Sequence, residues 1–127
     1  MKKIILLSIL IGYIFAQNLY FNAFKNIKKA KTLIDKNPKE AQRLFIEAYS
    51  YLKTIVNKSI EEKKPNTNAI NLLGKLYLNG WGIDKNEILA IKLLCVAAKY
   101  GNQKAQKTLK KLNKTCPTQI NLKEIKQ

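Results

Sequence analysis

The stretch LGKLYLNGWGIDKN, residues 73–86, constrains the fold of this chain more than any other. Leucine and tyrosine recur in it at helical spacing, Gly74 lies inside the helix, and Gly80 and Gly82 follow it. A glycine inside a helix costs about 1 kcal/mol relative to alanine, which is tolerated where a second helix must approach closely. The two later glycines can adopt positive φ in a sharp reversal. The stretch therefore predicts two tightly packed antiparallel helices.

The returning segment carries small residues that suit such an approach. Ala90, Ala97 and Ala98 recur along it, and their small size lets the two helices pack tightly. Asn86 stands just before this segment, where an asparagine can cap the first free N–H groups of a helix.

Apolar residues recur at spacings of three and four along five segments, which predicts five helices. These helices are expected over residues 17–35, 38–58 with a possible extension to 63, 67–78, 87–100 and 102–113. Residues 117–127 are expected to form a tail or a short capping helix. Residues expected to point inward include Phe24 and Ile34 on the first helix and Leu112 on the fifth. No segment alternates as a strand does. The predicted fold class is all-α, a short α-α solenoid of antiparallel helix pairs.

The first 16 residues, MKKIILLSILIGYIFA, have the outline of a secretory signal peptide. Two lysines precede an apolar run, and Ala16 is a suitable last residue before cleavage. The predicted mature chain starts at Gln17 and is exported to the periplasm or secreted. Ile14 is larger than the residue that cleavage prefers two positions before the cut, so an uncleaved membrane anchor is the alternative.

The net charge of +16 favours anionic partners. The lysines are dispersed, however, and Arg43 is the single arginine. Readers of nucleic acid rely on arginine forks and interleaved aromatic residues, so no nucleic-acid role is predicted. An anionic envelope polymer remains an alternative partner to a protein or peptide, since the mature chain would keep a charge of +14.

Cys95 and Cys116 are the two cysteines. Oxidising compartments favour disulfides, so export predicts a bond between them; the alternative is a pair of unpaired thiols. The chain has no histidine, which removes Ser–His and Cys–His pairs and most zinc sites. No catalytic residue, metal or cofactor is therefore predicted. Ser50 and Lys53 do match the S-x-x-K motif of penicillin-recognising serine enzymes, although the companion motifs of those enzymes are missing.

Residues 69–109 resemble the Sel-one-like repeat, a relative of the tetratricopeptide repeat. Ala69 recurs as Ala105, 36 residues later, which matches the period of that family. The residues that carry the resemblance are Ala69, Leu73, Gly74, Tyr77, Gly80, Gly82, Ala90, Ala97, Ala98, Gly101 and Ala105. Residues 66–116 would form one repeat with a partial second one, and residues 17–65 a degenerate tetratricopeptide-like pair.

The chain departs from the family pattern at several positions. Asn86 replaces the usual aspartate, and Leu93 and Leu94 replace an aromatic pair. Lys110 and Asn113 stand where a further repeat would need glycine and tyrosine. These departures put a long concave surface in doubt and predict a short stack.

The resemblance implies a protein- or peptide-binding scaffold without catalytic machinery. In related solenoids the first helix of each pair lines the concave face, which makes Asn71 and Lys75 candidate contacts opposite the buried stripe. Trp81 between its two glycines either anchors a partner or folds back on the helix pair. The alternative function is β-lactam binding or hydrolysis, after the cysteine-rich members of the family that bear the name β-lactamase, and Ser50 would then be the nucleophile.

Overall fold

The computed structural model describes residues 2–127, and all regular secondary structure in that range is helical. Five α-helices are followed by one short 3-10 helix at Leu122–Ile125. The α-helices are α1 (Lys2–Leu33), α2 (Pro38–Glu61), α3 (Thr67–Asn79), α4 (Glu87–Lys99) and α5 (Gln103–Lys111). The described part of the chain contains no strand. The predicted all-α class is confirmed.

Asparagine side chains cap the four later α-helices. Asn37, Asn66, Asn86 and Asn102 each accept a hydrogen bond from the backbone N–H three residues further on. Such a cap contributes about 1 kcal/mol. Pro38 follows the first of these caps at the start of α2, where its missing N–H costs nothing. The start of each of these four helices can therefore be predicted from the sequence.

Each helix packs mainly on its neighbours in the chain. α1 packs on α2, α2 on α3, α3 on α4, and α4 on α5, while the 3-10 helix packs on α4. The fully buried leucines come from the middle three helices and are Leu52, Leu73, Leu76, Leu93 and Leu94. Full burial of a leucine contributes roughly 2 kcal/mol. Short connections and sequential packing produce helix pairs arranged around one core.

Three residues that were predicted to point inward are exposed instead. Phe24 is 43% exposed, Ile34 40% and Leu112 36%. The buried stripe of α1 is narrower than predicted, because the helix packs on α2 through Ala23, Ile27 and Ala30. Ile34 lies beyond the end of α1, and Leu112 beyond the end of α5. The outermost helices each have a neighbour on one side, so some residues of their apolar stripes remain exposed to solvent.

Gly74 lies where α3 and α4 approach each other closely. A Cβ built on Gly74 would lie 3.2 Å from Leu94 Cγ and 3.3 Å from Leu93 Cβ. The helices approach closely at this glycine, as predicted, and the nearest atoms of α4 belong to two leucines. The absence of a side chain at Gly74 makes room for branched residues that fill the core.

The first helix starts at Lys2 and continues without a break through Ala16 and Gln17, so it is longer than predicted. Its apolar part has a mean hydropathy of 1.9 and is unburied, which fits a signal sequence or a membrane anchor by length and composition. The end of α2 runs beside it as far as Gly12, where a Cβ would lie 3.6 Å from Lys58 Nζ.

A disulfide joins Cys95 to Cys116 with a Cα–Cα distance of 5.5 Å, which confirms the predicted pairing. It holds the C-terminal tail against the helices. Ile125 is 1% exposed, and Asn57 exchanges two hydrogen bonds with the Gln127 backbone, at 2.7 and 3.0 Å. Tyr77 donates a hydrogen bond to Gln127 Oε1. The predicted capping element is therefore present as one 3-10 turn that closes the core.

Candidate functional site

A groove of about 290 Å³ separates α1 from α3. Both helices pack on α2, and the groove is the space left between them. Trp81 from the turn after α3 and Lys104 from α5 complete its lining. We refer to it below as the α1–α3 groove. It combines residues that lie more than 80 positions apart in the chain.

The α1 side of the groove consists of aromatic, apolar and basic residues at helical spacing. These are Tyr20, Phe24, Ile27, Lys28 and Lys31. The rings of Tyr20 and Phe24 lie 6.4 Å apart and nearly parallel. Because Phe24 faces the groove rather than the core, its partial exposure has a structural reason. Ile27 is 6% exposed and forms part of the floor.

The α3 side of the groove consists of Asn68, Asn71, Leu72, Lys75 and Leu76. Asn71 is only 3% exposed, and its Oδ1 has no hydrogen-bond partner among the described residues 2–127. The prediction that Asn71 lies on an open face opposite the buried stripe is therefore wrong, because α1 and the groove walls enclose that side chain. Lys75, the second predicted contact, is half-buried one turn further along the same wall.

Trp81 borders the groove and is also folded onto the helices. Its ring stacks on Phe45 of α2, with centroids 5.1 Å apart and planes inclined by 8°. The Lys31 ammonium lies 5.0 Å from the centre of the Trp81 ring, within the range of a cation–π interaction. The Trp81 ring is therefore held by core contacts, while one part of it still lines the groove.

Two glycines produce this placement of Trp81. Gly80 ends α3 in the left-handed conformation, with φ of 67°, and the Trp81 N–H donates to the Leu76 carbonyl at 3.0 Å. Gly82 has φ of 78°, and a Cβ there would lie 2.7 Å from the Phe45 carbonyl carbon. The turn thus lies directly on the backbone of α2.

The charged side chains that line the groove are all positive. Lys28, Lys31, Lys75 and Lys104 line it, and no lining residue in the described chain is acidic. Burial lowers the pKa of the Lys75 ammonium below its usual range, and the charges of Lys31, Lys104 and Lys111 lower it further. Bringing these lysines together costs free energy in the absence of an anion.

Asn102 positions the third helix that contributes to the groove. Its Oδ1 caps α5 by accepting the Ala105 N–H at 2.9 Å, and its Nδ2 donates to Asn68 Oδ1 at 3.1 Å. The same side chain therefore starts α5 and ties it to α3. Lys104 stands two residues later, at the edge of the groove.

The remaining residues of the repeat pattern are structural. Ala69, Ala90, Ala97 and Ala105 are fully buried, whereas Ala98 is half-buried and Gly101 is exposed. Tyr77 contacts Tyr49 edge-on, and their hydroxyls are 3.2 Å apart. Its bond to the tail was not visible from the motif, because the tail lies 50 residues further along.

Sequence reasoning missed the groove residues of α1 and α5. Tyr20, Phe24, Lys28 and Lys31 form a second stripe beside the core stripe of α1, which was the available signal. Nothing in the local sequence marks Lys104, since the chain has many dispersed lysines. Ser50 and Lys53 are both exposed on α2, away from the α1–α3 groove.

Replacing Lys75 with methionine should stabilise the chain slightly, because methionine keeps the buried stem and removes the repelled charge. We expect Tm to rise by about 2 °C at neutral pH, after allowing for solvent screening. The pKa of Lys75 is lower in the folded state than in the unfolded state, so the unfolded state of the native chain binds more protons. The free energy of unfolding of the native chain therefore rises with pH between those two pKa values.

The advantage of Lys75→Met should accordingly shrink at alkaline pH and in high salt. Thermal unfolding across pH and salt measures both effects, and Lys53→Met on an exposed helix face is the matched control. A variant that unfolds at lower temperature than the native chain would contradict the electrostatic account of Lys75.

The fold and the groove define an all-helical module with an apolar cleft bordered by lysines. No protein-family model matches the chain, and neither the curated proteins nor the solved structures contain a match to it.

Proposed function

We propose that this chain is an exported Sel-one-like repeat protein that binds a protein or peptide segment as a scaffold. The observation that carries the proposal is the α1–α3 groove, which is partly apolar, open to solvent and lined by three helices from separate parts of the chain. Ligand sites in helical proteins favour such concave surfaces between helices. The recurrence of Ala69 as Ala105 and the sequential packing of neighbouring helices support a short solenoid of the tetratricopeptide type.

Export to the periplasm or the cell surface is part of the proposal. The unburied apolar start of α1 and the disulfide both support it. Cleavage after Ala16 would leave the groove whole, since its first lining residue is Tyr20. We therefore propose the cleaved form.

Binding, rather than catalysis, is the function that the side chains support. A β-lactam-hydrolysing relative would use Ser50 as its nucleophile, and that residue lies on an open helix face with Lys53. A nucleophile of this kind needs an enclosed substrate position and a positioned base. Nitrocefin turnover that is lost in Ser50→Ala would overturn the proposal.

Site-specific photo-crosslinking in envelope extract tests the binding function. A photo-reactive residue placed at Lys28 should capture a discrete partner, because that position borders the groove. The same residue placed at Lys53, an exposed lysine on α2, is the matched control and should capture none. Excess unlabelled chain should compete, whereas chain carrying Trp81→Ala or Asn71→Ala with Lys75→Ala should compete poorly. Equal capture from the two positions would contradict a role for the groove.

A further inference from the structure

We infer that the α1–α3 groove accepts an acidic, extended segment of another protein that carries an aromatic or aliphatic side chain among its carboxylates. The inference rests on the proposed binding function and specifies the chemistry of the partner.

Charge complementarity is the first argument. Four lysines converge on one cleft from α1, α3 and α5, without a lining carboxylate. Lys75 is half-buried beside the like charges of Lys31 and Lys104, so the groove holds positive charge at a cost, consistent with the lowered pKa of Lys75. A carboxylate among these lysines would offset their mutual repulsion on binding, since opposite charges within about 4 to 6 Å favour the charged form.

The apolar floor is the second argument. Ile27 and Leu76 are buried in it, and Phe24 and Leu72 are partly open to solvent beside them. A uniformly charged polymer would leave this surface unused. An apolar side chain of a peptide would cover it and gain roughly 25 cal/mol for each Å² removed from water.

The third argument is the amide of Asn71. Its Oδ1 is buried and has no donor among residues 2–127, and the side chain lines the groove. A buried acceptor without a partner costs about 1 to 3 kcal/mol. A rotation of this side chain would present the acceptor to the backbone N–H groups that an extended peptide supplies at regular intervals. A fatty acid or phospholipid tail has the charge and the apolar part but no such donors. The geometry therefore favours a peptide over an anionic amphiphile.

The single tryptophan of the chain provides the readout. Trp81 lines the groove, so its fluorescence reports occupancy directly. The probe is a blocked octapeptide of sequence Glu-Asp-Glu-Phe-Glu-Asp-Leu-Glu. It is titrated into a solution of the protein, in the form that the expressing cell exports. The comparison peptide replaces each Glu with Gln and each Asp with Asn. A second comparison replaces Phe and Leu with Ala.

The acidic probe should change the Trp81 emission saturably and bind about tenfold or more tightly than either comparison peptide. Its affinity should fall as salt is raised. Lys31→Gln with Lys75→Gln should weaken binding about tenfold or more. Lys53→Gln with Lys58→Gln removes the same charge from exposed positions on α2 and should leave the affinity nearly unchanged.

Equal affinity for the acidic and amide peptides would overturn the inference. Saturable binding of oleate or of phosphatidylglycerol vesicles, without binding of the acidic peptide, would overturn it as well. If crosslinking from Lys28 but not from Lys53 persists in either case, the proposed scaffold function stands. If neither groove-specific crosslinking nor binding of the acidic peptide is observed, both the scaffold function and the inference are contradicted.

Discussion

Replacing Gly82 with alanine should lower the free energy of unfolding by about 3 to 4 kcal/mol. Two costs add at this position. A non-glycine residue at φ of 78° is strained by roughly 1 to 2 kcal/mol. The new Cβ would also lie 2.7 Å from the Phe45 carbonyl carbon and 2.8 Å from the Ile46 nitrogen. These are backbone atoms of α2 that cannot rotate away, and overpacking of this kind costs about 1 to 3 kcal/mol more.

Urea unfolding of Gly82→Ala beside Gly101→Ala separates the two costs. Gly101 has φ of 96°, but a Cβ there would have no neighbour within 4 Å. This control should therefore lose only the strain, about 1 to 2 kcal/mol. Gly82→Ala should also shift the Trp81 emission, because the turn must move off α2. Similar losses in the two variants would refute the close contact between the turn and α2.

Removing the disulfide should lower the free energy of unfolding by about 3 kcal/mol. The bond closes a loop of 21 residues, and the chain-entropy account assigns about that value to a loop of this length. Cys116→Ser is the suitable change, because Cys116 is exposed whereas Cys95 is 2% exposed and remains as a small apolar residue. The native chain measured in a reducing agent should lose a similar amount.

Hydrogen exchange should locate this loss in the tail. Without the disulfide, residues 112–127 are held by the burial of Ile125, by the bonds of Gln127 and by an ion pair of 3.0 Å between Lys126 and Glu61. Exchange should accelerate there first and leave α3 protected. A loss below about 1 kcal/mol, or uniform acceleration along the chain, would show that the tail is not fastened through the disulfide.

The helices themselves could be predicted from the sequence, because their signals are local. Asn37 with Pro38, Asn86 before α4, and Gly101 with Asn102 determine where helices begin and end through bonds that span three or four residues. The leucine and alanine stripes of α2, α3 and α4 correctly indicated the core. The disulfide also followed from composition, since a chain with two cysteines leaves one possible pairing within it.

The candidate site could be predicted only in part. Trp81 and Lys75 do line a common groove with Asn71, but the sequence placed Asn71 on an open surface. Burial of Asn71 depends on how closely α1 approaches α3, and that distance is set by the packing of both helices on α2. Phe24 was predicted to be buried for the same reason, since periodicity marks an apolar side of a helix but not the neighbour that covers it.

The sequence by itself determined the all-helical class, the capped starts of the four later α-helices, the turn glycines and the cysteine pair, because each depends on chemistry within a few residues or on composition. Only the tertiary structure brought Lys28, Lys75 and Lys104 together in one cleft, and only it placed the tail against Asn57 and Tyr77. Those contacts join residues 29 to 76 positions apart. Their geometry depends on how neighbouring helices pack, which no local pattern in the chain encodes.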